Sequence, residues 1–260
     1  MSNKFGKTSK LMIQAGFKNH QTVLEDASFT APFKIMKPFY ENQDFMTVMC
    51  LTASAGIMAG DEQEFTIIVK DGAKLEFVSQ AYEKIHKMDS GFAQRTADLY
   101  IEKDAYLYYN PLPTIPFKDS AFTSKLKVHL ADATSKFILK EVLSAGRCAC
   151  GELFEYKYYH NHIEIEEGNE LIYVDNTKLH PDCMKLNSLG LYEKYTHLGT
   201  LLLCHIPKEP NWFQEVRGLL DDTPDIEGGI TQIDHMGIVI RVLGYRSDIM
   251  DALFDKILSL

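Results

Sequence analysis

The chain has 260 residues, of which 45% are hydrophobic, and its formal net charge at neutral pH is −9. A chain of this length buries roughly 70% of the surface that its unfolded form exposes, and its negative charge disfavours nucleic acid and anionic membranes as partners. No apolar run reaches ~18 residues, the N-terminal sequence lacks the apolar segment of a signal peptide, and the five cysteines are an odd number, so we expect a single-domain cytoplasmic protein with free thiols.

Four segments in the middle of the chain follow one plan, in which an alternating run leads through a short polar turn into a second alternating run. These segments are TIIVKDGAKLEFVSQ, LYIEKDAYLYYNPLP, KVHLADATSKFILKEV and IEIEEGNELIYVDN. Their turns are Asp71-Gly72, Lys103-Asp104, Ala131-Asp132 and Glu167-Gly168-Asn169. Alternation with tight polar turns is typical of paired β-strands.

The apolar residue that follows each turn recurs at intervals of 32, 30 and 34 residues, at Leu75, Leu107, Phe137 and Leu171. A repeat of roughly 30 residues built from strands is typical of stacked β layers rather than of one closed barrel. We therefore predict a mainly β, layered helical-β (solenoid-like) structure, with repeats over about residues 20–187.

The pattern changes after Asn187, in a β/α part that we place at about residues 188–260. YTHLGTLLLCHI and MGIVIRVLG predict two buried strands, and NWFQEVRGLL predicts a helix with Asn211 as its N-cap. SDIMDALFDKILSL predicts a terminal helix that Ser247 caps. Its apolar residues at helical spacing are Ile249, Leu253, Ile257 and Leu260.

Two pairs of possible metal ligands stand out. Cys148 and Cys150 would present two thiols on one face of an extended segment, and His160 and His162 would present two imidazoles in the same way. Each pair has a plainer interpretation, as buried small side chains and as a solvated strand, respectively. Neither pair has the spacing of a structural zinc site, so we regard all four as weak ligands at most.

Acidic residues interrupt apolar patterns at four places, Asp61, Glu141, Glu152 and Asp175. Such a carboxylate either faces water or is buried with a partner. Asp61 ends the glycine-rich stretch SAGIMAGDE, which lacks the Lys and hydroxyl residue that a P-loop needs after its last glycine. That stretch therefore does not predict a nucleotide site.

Five motifs in order resemble those of the urease accessory protein D family, which is called H in some bacteria. They are FTAPFKIMKPFY, SAGIMAGDE, SQAYEKIHK, NPLPTIPF and SAGRCACGELF. The resemblance is clearest over about residues 15–180. In this family the glycine-rich stretch is a turn between strands, which glycine suits because it tolerates positive φ and has no Cβ.

The resemblance implies a non-catalytic scaffold that helps load nickel into apo-urease in the cytoplasm. It implies accessory proteins F and G as partners, in a complex with two copies of each protein, and transient nickel rather than a tightly bound cofactor. It also implies an internal nickel route, which we assign to Asp61, Glu141, Glu152 and Asp175 with Lys84 beside them. We assign the binding of F to the stripe of the terminal helix.

Two other functions remain open on the sequence alone. Stacked β layers with acids on their strands also suit a carbohydrate-active enzyme, which would need two carboxylates ~5–9.5 Å apart. A plain interaction module without a metal role is the other possibility.

Overall fold

The computed structural model describes residues 8–42, 44–168, 170–233 and 237–260. These residues form two helices, α1 (Trp212–Asp222) and α2 (Ser247–Ser259), and eighteen strands. In chain order the strands are β1 (Ser9–Lys18), β2 (Gln21–Phe29), β3 (Phe33–Ile35), β4 (Phe39–Asn42), β5 (Phe45–Thr52), β6 (Glu62–Val69), β7 (Lys74–Ser79), β8 (Glu83–Ile85), β9 (Ala93–Ile101), β10 (Tyr106–Asn110), β11 (Thr114–Pro116), β12 (Ala121–Leu130), β13 (Lys136–Ser144), β14 (Tyr158–Glu167), β15 (Glu170–Leu179), β16 (His197–Cys204), β17 (Ile226–Ile233) and β18 (Gly237–Gly244).

The strands form two sheets. Sheet A has seven strands in the order β15-β14-β12-β9-β6-β1-β2. Sheet B has the order β17-β18-β16-β13-β10-β7-β5-β3, with β4, β8 and β11 attached to it. Residues of both sheets share one apolar cluster, so the sheets pack face to face.

The chain passes repeatedly from one sheet to the other, and these passages build the layers. The polar turns after β6, β9 and β12 lead into β7, β10 and β13 of the opposite sheet. In sheet B, Leu107 is paired in parallel register with Leu75 on one side and with Phe137 on the other. The spacing of 32 and 30 residues is therefore one complete layer, and the predicted layered fold is confirmed.

The fourth segment of the repeat differs from the other three. Here β14 and β15 form an antiparallel hairpin within sheet A, so the chain does not cross to sheet B. Leu171 is 57% exposed and is not equivalent to the three buried anchors. The turn residue Asn169 lies outside the described residues.

Both predicted helices exist, and they cover the face of sheet B that points away from sheet A. Asn211 is the N-cap of α1, but its side-chain amide donates to Glu215 and not to a backbone group. The N-cap of α2 is Arg246, while Ser247 is the first helical residue and its hydroxyl contacts that of Tyr82 at 3.2 Å. Neither described helix is long and apolar enough to cross a membrane.

The apolar face of α2 packs on this chain's own sheet. Its core residues are Met250, Leu253, Phe254 and Ile257. The assignment of Leu253 and Ile257 to a partner surface is therefore wrong for this structure, because sheet B already covers them. Ile249 is partly buried and Leu260 is 45% exposed, so only these two of the predicted four retain accessible surface.

Candidate functional site: a polar cavity between the sheets

A cavity of about 60 Å³ lies between the two sheets, next to the apolar cluster that joins them. It is large enough to hold water, since one water molecule needs at least about 10–15 Å³. We call it the central cavity. Its charged and amide-bearing lining residues are Glu83 and Glu141 from sheet B, and Arg95, Asn161 and Asp175 from sheet A.

Arg95 is the cation of the central cavity, and its side chain is 11% exposed. Its guanidinium donates to both carboxylate oxygens of Glu83, one of them at 2.7 Å, and to the side-chain oxygen of Gln63 at 2.5 and 3.0 Å. It also lies over the ring of Phe65, 4.7 Å from the centroid. Burial disfavours the guanidinium charge, but the carboxylate of Glu83 more than offsets this, so the pKa of Arg95 is raised. The guanidinium of Arg95 therefore stays charged near neutral pH.

Glu141 is the carboxylate of the cavity that lacks such a cation. It borders the cavity, and its Oε2 accepts a hydrogen bond of 3.1 Å from the amide nitrogen of Asn161. Among the described residues no basic group forms a salt bridge with it. Burial raises the pKa of Glu141 to about 7, and the nearby charge of Asp175 acts in the same direction against the hydrogen bond from Asn161. Glu141 therefore exchanges its proton near physiological pH, which is the behaviour expected at a functional site.

The side-chain oxygen of Asn161 has no hydrogen-bond partner among the described residues. The amide nitrogen of Asn161 donates to Glu141, while this oxygen, Oδ1, is buried. An unpaired buried oxygen is costly unless water or a ligand satisfies it. Oδ1 of Asn161 and the carboxylate of Glu141 are therefore two oxygen-bearing groups of the cavity lining that can accept a hydrogen bond or bind a cation.

Asp175 lies where the central cavity approaches the edge of sheet A. Its carboxylate is paired with Arg241 of β18 and accepts a hydrogen bond of 3.1 Å from Thr177. The side chain of Asp175 is 13% exposed and that of Arg241 is 49% exposed. A neighbouring cavity of about 380 Å³ begins here and shares Thr177 and Leu198 with the central one.

An adjoining cavity of about 100 Å³ lies on the other side and shares Glu83, Arg95 and Tyr109 with the central cavity. It reaches the glycine-rich stretch at residues 54–57 and the exposed Lys84. Gly56 has φ +147°, and a Cβ there would lie 2.3 Å from the backbone oxygen of Lys84. The glycine thus allows this turn to approach β8. The three cavities therefore lie in a row from this turn to the edge of sheet A.

Two of the predicted acids lie elsewhere. The carboxylate of Asp61 accepts a hydrogen bond of 2.8 Å from the backbone N–H of Met58, and so closes the glycine-rich turn. The carboxylate of Glu152 accepts from Arg147 at 2.5 and 3.1 Å and from the backbone N–H of Lys118 at 2.6 Å. Burial opposes ionisation of Glu152, but these hydrogen bonds more than offset it, and its pKa is lowered. Neither acid lines the central cavity or its neighbours.

The cysteine pair does not have the predicted geometry. Cys148 to Cys150 form a short 3₁₀ turn and not an extended segment, so their thiols do not share a strand face. The Cys148 thiol contacts the hydroxyl of Ser144 at 3.3 Å and the backbone oxygen of Gly146 at 3.4 Å, while Cys150 is exposed. Among the described residues, no group of three His, Cys, Asp or Glu side chains could hold a metal ion.

The two histidines do lie on one strand, β14, but they have different partners. Nε2 of His162 lies 2.7 Å from Oε1 of Glu164 on the same strand. Nε2 of His160 lies 2.5 Å from Nε2 of His180 on the neighbouring strand's C-terminal side.

The sequence interpretation missed Glu83, Arg95 and Asn161. A signal for Arg95 existed, because Ala93, Ala97 and Leu99 place its position on the inward phase of β9. Glu83 lies in a three-residue strand, too short for alternation to be recognised. Asn161 lies between His160 and His162, which the sequence interpretation considered only as possible metal ligands. Alternation places Asn161 on the opposite face of the strand from both histidines.

Comparisons with known proteins all indicate one family, over nearly the whole chain. The family model described as UreD urease accessory protein matches residues 7–260. A urease accessory protein UreD from Acetivibrio thermocellus is 38% identical over 258 residues, covering 99% of this chain and 98% of that protein. A urease accessory protein UreH from Helicobacter pylori (strain HPAG1) is 33% identical over 259 residues, covering 99% and 96%. A UreD from Actinobacillus pleuropneumoniae is 27% identical over 258 residues, covering 96% and 95%.

Proposed function

Because this chain belongs to the UreD family of urease accessory proteins, we propose that it is a non-catalytic scaffold in urease maturation. In this proposal it recruits accessory proteins F and G to apo-urease in the cytoplasm, in a complex with two copies of each protein. Nickel is its transient cargo and passes through the interior of the chain to the urease active site.

The observation that supports a nickel route is the carboxylate of Glu141 beside a cavity. Arg95 neutralises Glu83, and Arg241 neutralises Asp175, whereas Glu141 has a neutral amide as its partner. A poorly solvated carboxylate without a cation favours either a proton or a metal ion as compensation. Ni²⁺ accepts carboxylate and water ligands, and a route needs weak ligands that exchange quickly.

The route in this proposal is the row of three cavities. It begins beside Lys84 and the glycine-rich turn, passes Glu141, and leaves near Asp175. Asp61, which the sequence interpretation placed on the route, acts in the proposal as a support for the glycine-rich turn at its start. Glu152, which was also placed there, pairs with Arg147 away from the three cavities and is left out of the proposed route. Arg95 and Arg241 hold the neighbouring carboxylates, so that cations do not bind too tightly.

Reconstitution of urease activation tests this function. The urease subunits are co-expressed at limiting nickel with accessory proteins F and G and with accessory protein E, which the family resemblance implies as the source of nickel. This chain, no chain, Glu141→Ala or Asp175→Ala is added. Urease activity and nickel content of the purified urease are measured, and capture of F and G by the chain is measured in parallel. We expect activation with the wild type, low nickel with both variants, and unchanged capture of F and G.

A matched control is Glu164→Ala, which removes a carboxylate from the outward face of β14. It should activate urease like the wild type. Full activation by both cavity variants would contradict the interior route. Equal activation with and without the chain would contradict the maturation role itself.

The surface for accessory protein F remains part of the proposal. Of the predicted residues, Ile249 and Leu260 keep accessible surface on α2, and we retain these two as contacts. The family relationship gives no support to a carbohydrate-active enzyme.

A further inference from the structure

The outward face of sheet A carries a pair of histidines that the proposed function does not use. His160 lies in β14, and His180 follows directly after the last residue of β15. The two strands are antiparallel, with Tyr159 opposite Leu179. The residues next to this pair, including His160 and His180, lie together on the opposite face of the sheet. The Nε2 atoms of His160 and His180 are 2.5 Å apart, and the ring centroids are 4.6 Å apart.

A tyrosine fixes the orientation of both imidazoles. The ring of Tyr158 packs on His160 with centroids 4.7 Å apart and on His180 with centroids 5.5 Å apart. Both histidines are partly buried. Their Nε2 atoms point at one location instead of at solvent or at separate partners.

We propose that His160 and His180 form a two-imidazole binding site for a divalent transition metal ion, of the class Ni²⁺, Zn²⁺ or Cu²⁺. Imidazole nitrogen is a preferred ligand of these ions. The two Nε2 atoms already converge on one position, and in this proposal the metal ion occupies that position between them. Water molecules complete the coordination, because no third His, Cys, Asp or Glu joins the pair among the described residues.

The geometry requires only a small adjustment. Imidazole nitrogens lie about 2.0–2.1 Å from zinc, which in a tetrahedral site places two of them about 3.3 Å apart. The rings therefore have to separate by about 0.8 Å, and the χ2 torsion of histidine has a broad minimum that allows such a rotation. Lys178, opposite His160 in the ladder, adds a positive charge that keeps the site weak and exchangeable.

This site is separate from the central cavity. Successive residues of a strand point to opposite faces, so Asn161 reaches the cavity while His160 faces outward. Loss of metal at the histidine pair therefore leaves the groups of the interior route in place, and the two proposals can fail independently.

Calorimetric titration of the full chain, purified without a histidine tag, tests the site. NiCl₂ and ZnCl₂ are titrated separately into the wild type, His160→Ala and His180→Ala. We expect each variant to lose at least about tenfold in affinity for both ions, since even outer partners of metal ligands cost 10–100-fold. His180 lies beyond the end of β15, so its variant keeps the strand ladder intact even if His160→Ala folds poorly.

His162→Ala is the matched control, because this histidine lies on the same strand and face but contacts Glu164. It should bind both ions like the wild type. Wild-type affinity in both His160→Ala and His180→Ala would overturn the proposal. An equal loss in His162→Ala would also overturn it, since binding would then be a property of scattered surface histidines.

Discussion

Replacement of Glu141 by glutamine should make the protein more stable at alkaline pH. The pKa of Glu141 is about 7 in the folded protein, against its ordinary 4.5. The folded protein thus holds this proton more tightly than the unfolded chain does, and stability falls as the pH rises from about 4.5 to about 7. The difference between a pKa of about 7 and one of 4.5 corresponds to about 3 kcal/mol of unfolding free energy.

The glutamine side chain has nearly the same shape as that of glutamate and can still accept the hydrogen bond from Asn161, but it never ionises. The free energy of unfolding, measured by urea titration, should therefore show Glu141→Gln gaining on the wild type between about pH 5 and pH 8. Most of the ~3 kcal/mol should appear in this window. The variant should at the same time support little urease activation, because stability and function conflict at such sites.

Glu164→Gln provides the comparison for this experiment. A hydrogen bond from His162 lowers the pKa of Glu164, which is the opposite direction from Glu141. Its replacement should therefore give no gain in stability at about pH 8. If Glu141→Gln and the wild type show the same pH dependence of unfolding, then Glu141 is not held in a poorly solvated site, and the reasoning is refuted.

Other variants separate the core from the surface and the cavity. Arg95→Met or Glu83→Gln leaves one partly buried charge unpaired, so each should lose up to about 3 kcal/mol of unfolding free energy in urea titrations, the lower end for a fully buried pair. Leu253→Ala should cost about 2–5 kcal/mol in the same assay, because its side chain is in the core. Leu260→Ser should change stability by no more than about 0.5 kcal/mol but weaken capture of accessory protein F in a pull-down. The isolated chain should show no saturable GTP binding by calorimetry, because it has no P-loop.

Each of these expectations has a contrary result. A loss below about 1 kcal/mol in both Arg95→Met and Glu83→Gln would mean that water screens the pair. Unchanged stability in Leu253→Ala would mean that α2 does not dock on sheet B. Full capture of accessory protein F by Leu260→Ser would remove this residue from the partner surface, and a micromolar GTP affinity would contradict the interpretation of the glycine-rich stretch.

The layered fold could be predicted because the repeat reflects the geometry of the layers. Leu75, Leu107 and Phe137 are neighbours in one ladder, so the interval in the sequence equals one passage through both sheets. Leu171 has the same local pattern but lies in a hairpin, and a strand pair within one sheet has the same alternation as a passage between sheets. The local alternation pattern therefore could not distinguish the two cases.

The site was predictable only in part, because its charges meet through tertiary contacts. Glu141 and Asp175 could be identified as acids within apolar strands, and the structure places both at the central cavity. The partners of the predicted residues come from distant segments, as His180 does for His160 and Arg241 does for Asp175. Nothing in the local pattern around one member of such a pair indicates the other.

The order of strands in the sheets has a consequence for synthesis of the chain. Between β1 and β15, sheet A is built from one side to the other in the order in which the ribosome makes its strands. Each new layer joins residues such as Leu75 and Leu107, 32 positions apart, at a similar entropic cost of loop closure. A nascent chain can therefore add each layer to a completed predecessor as it leaves the ribosome, as repeat proteins do.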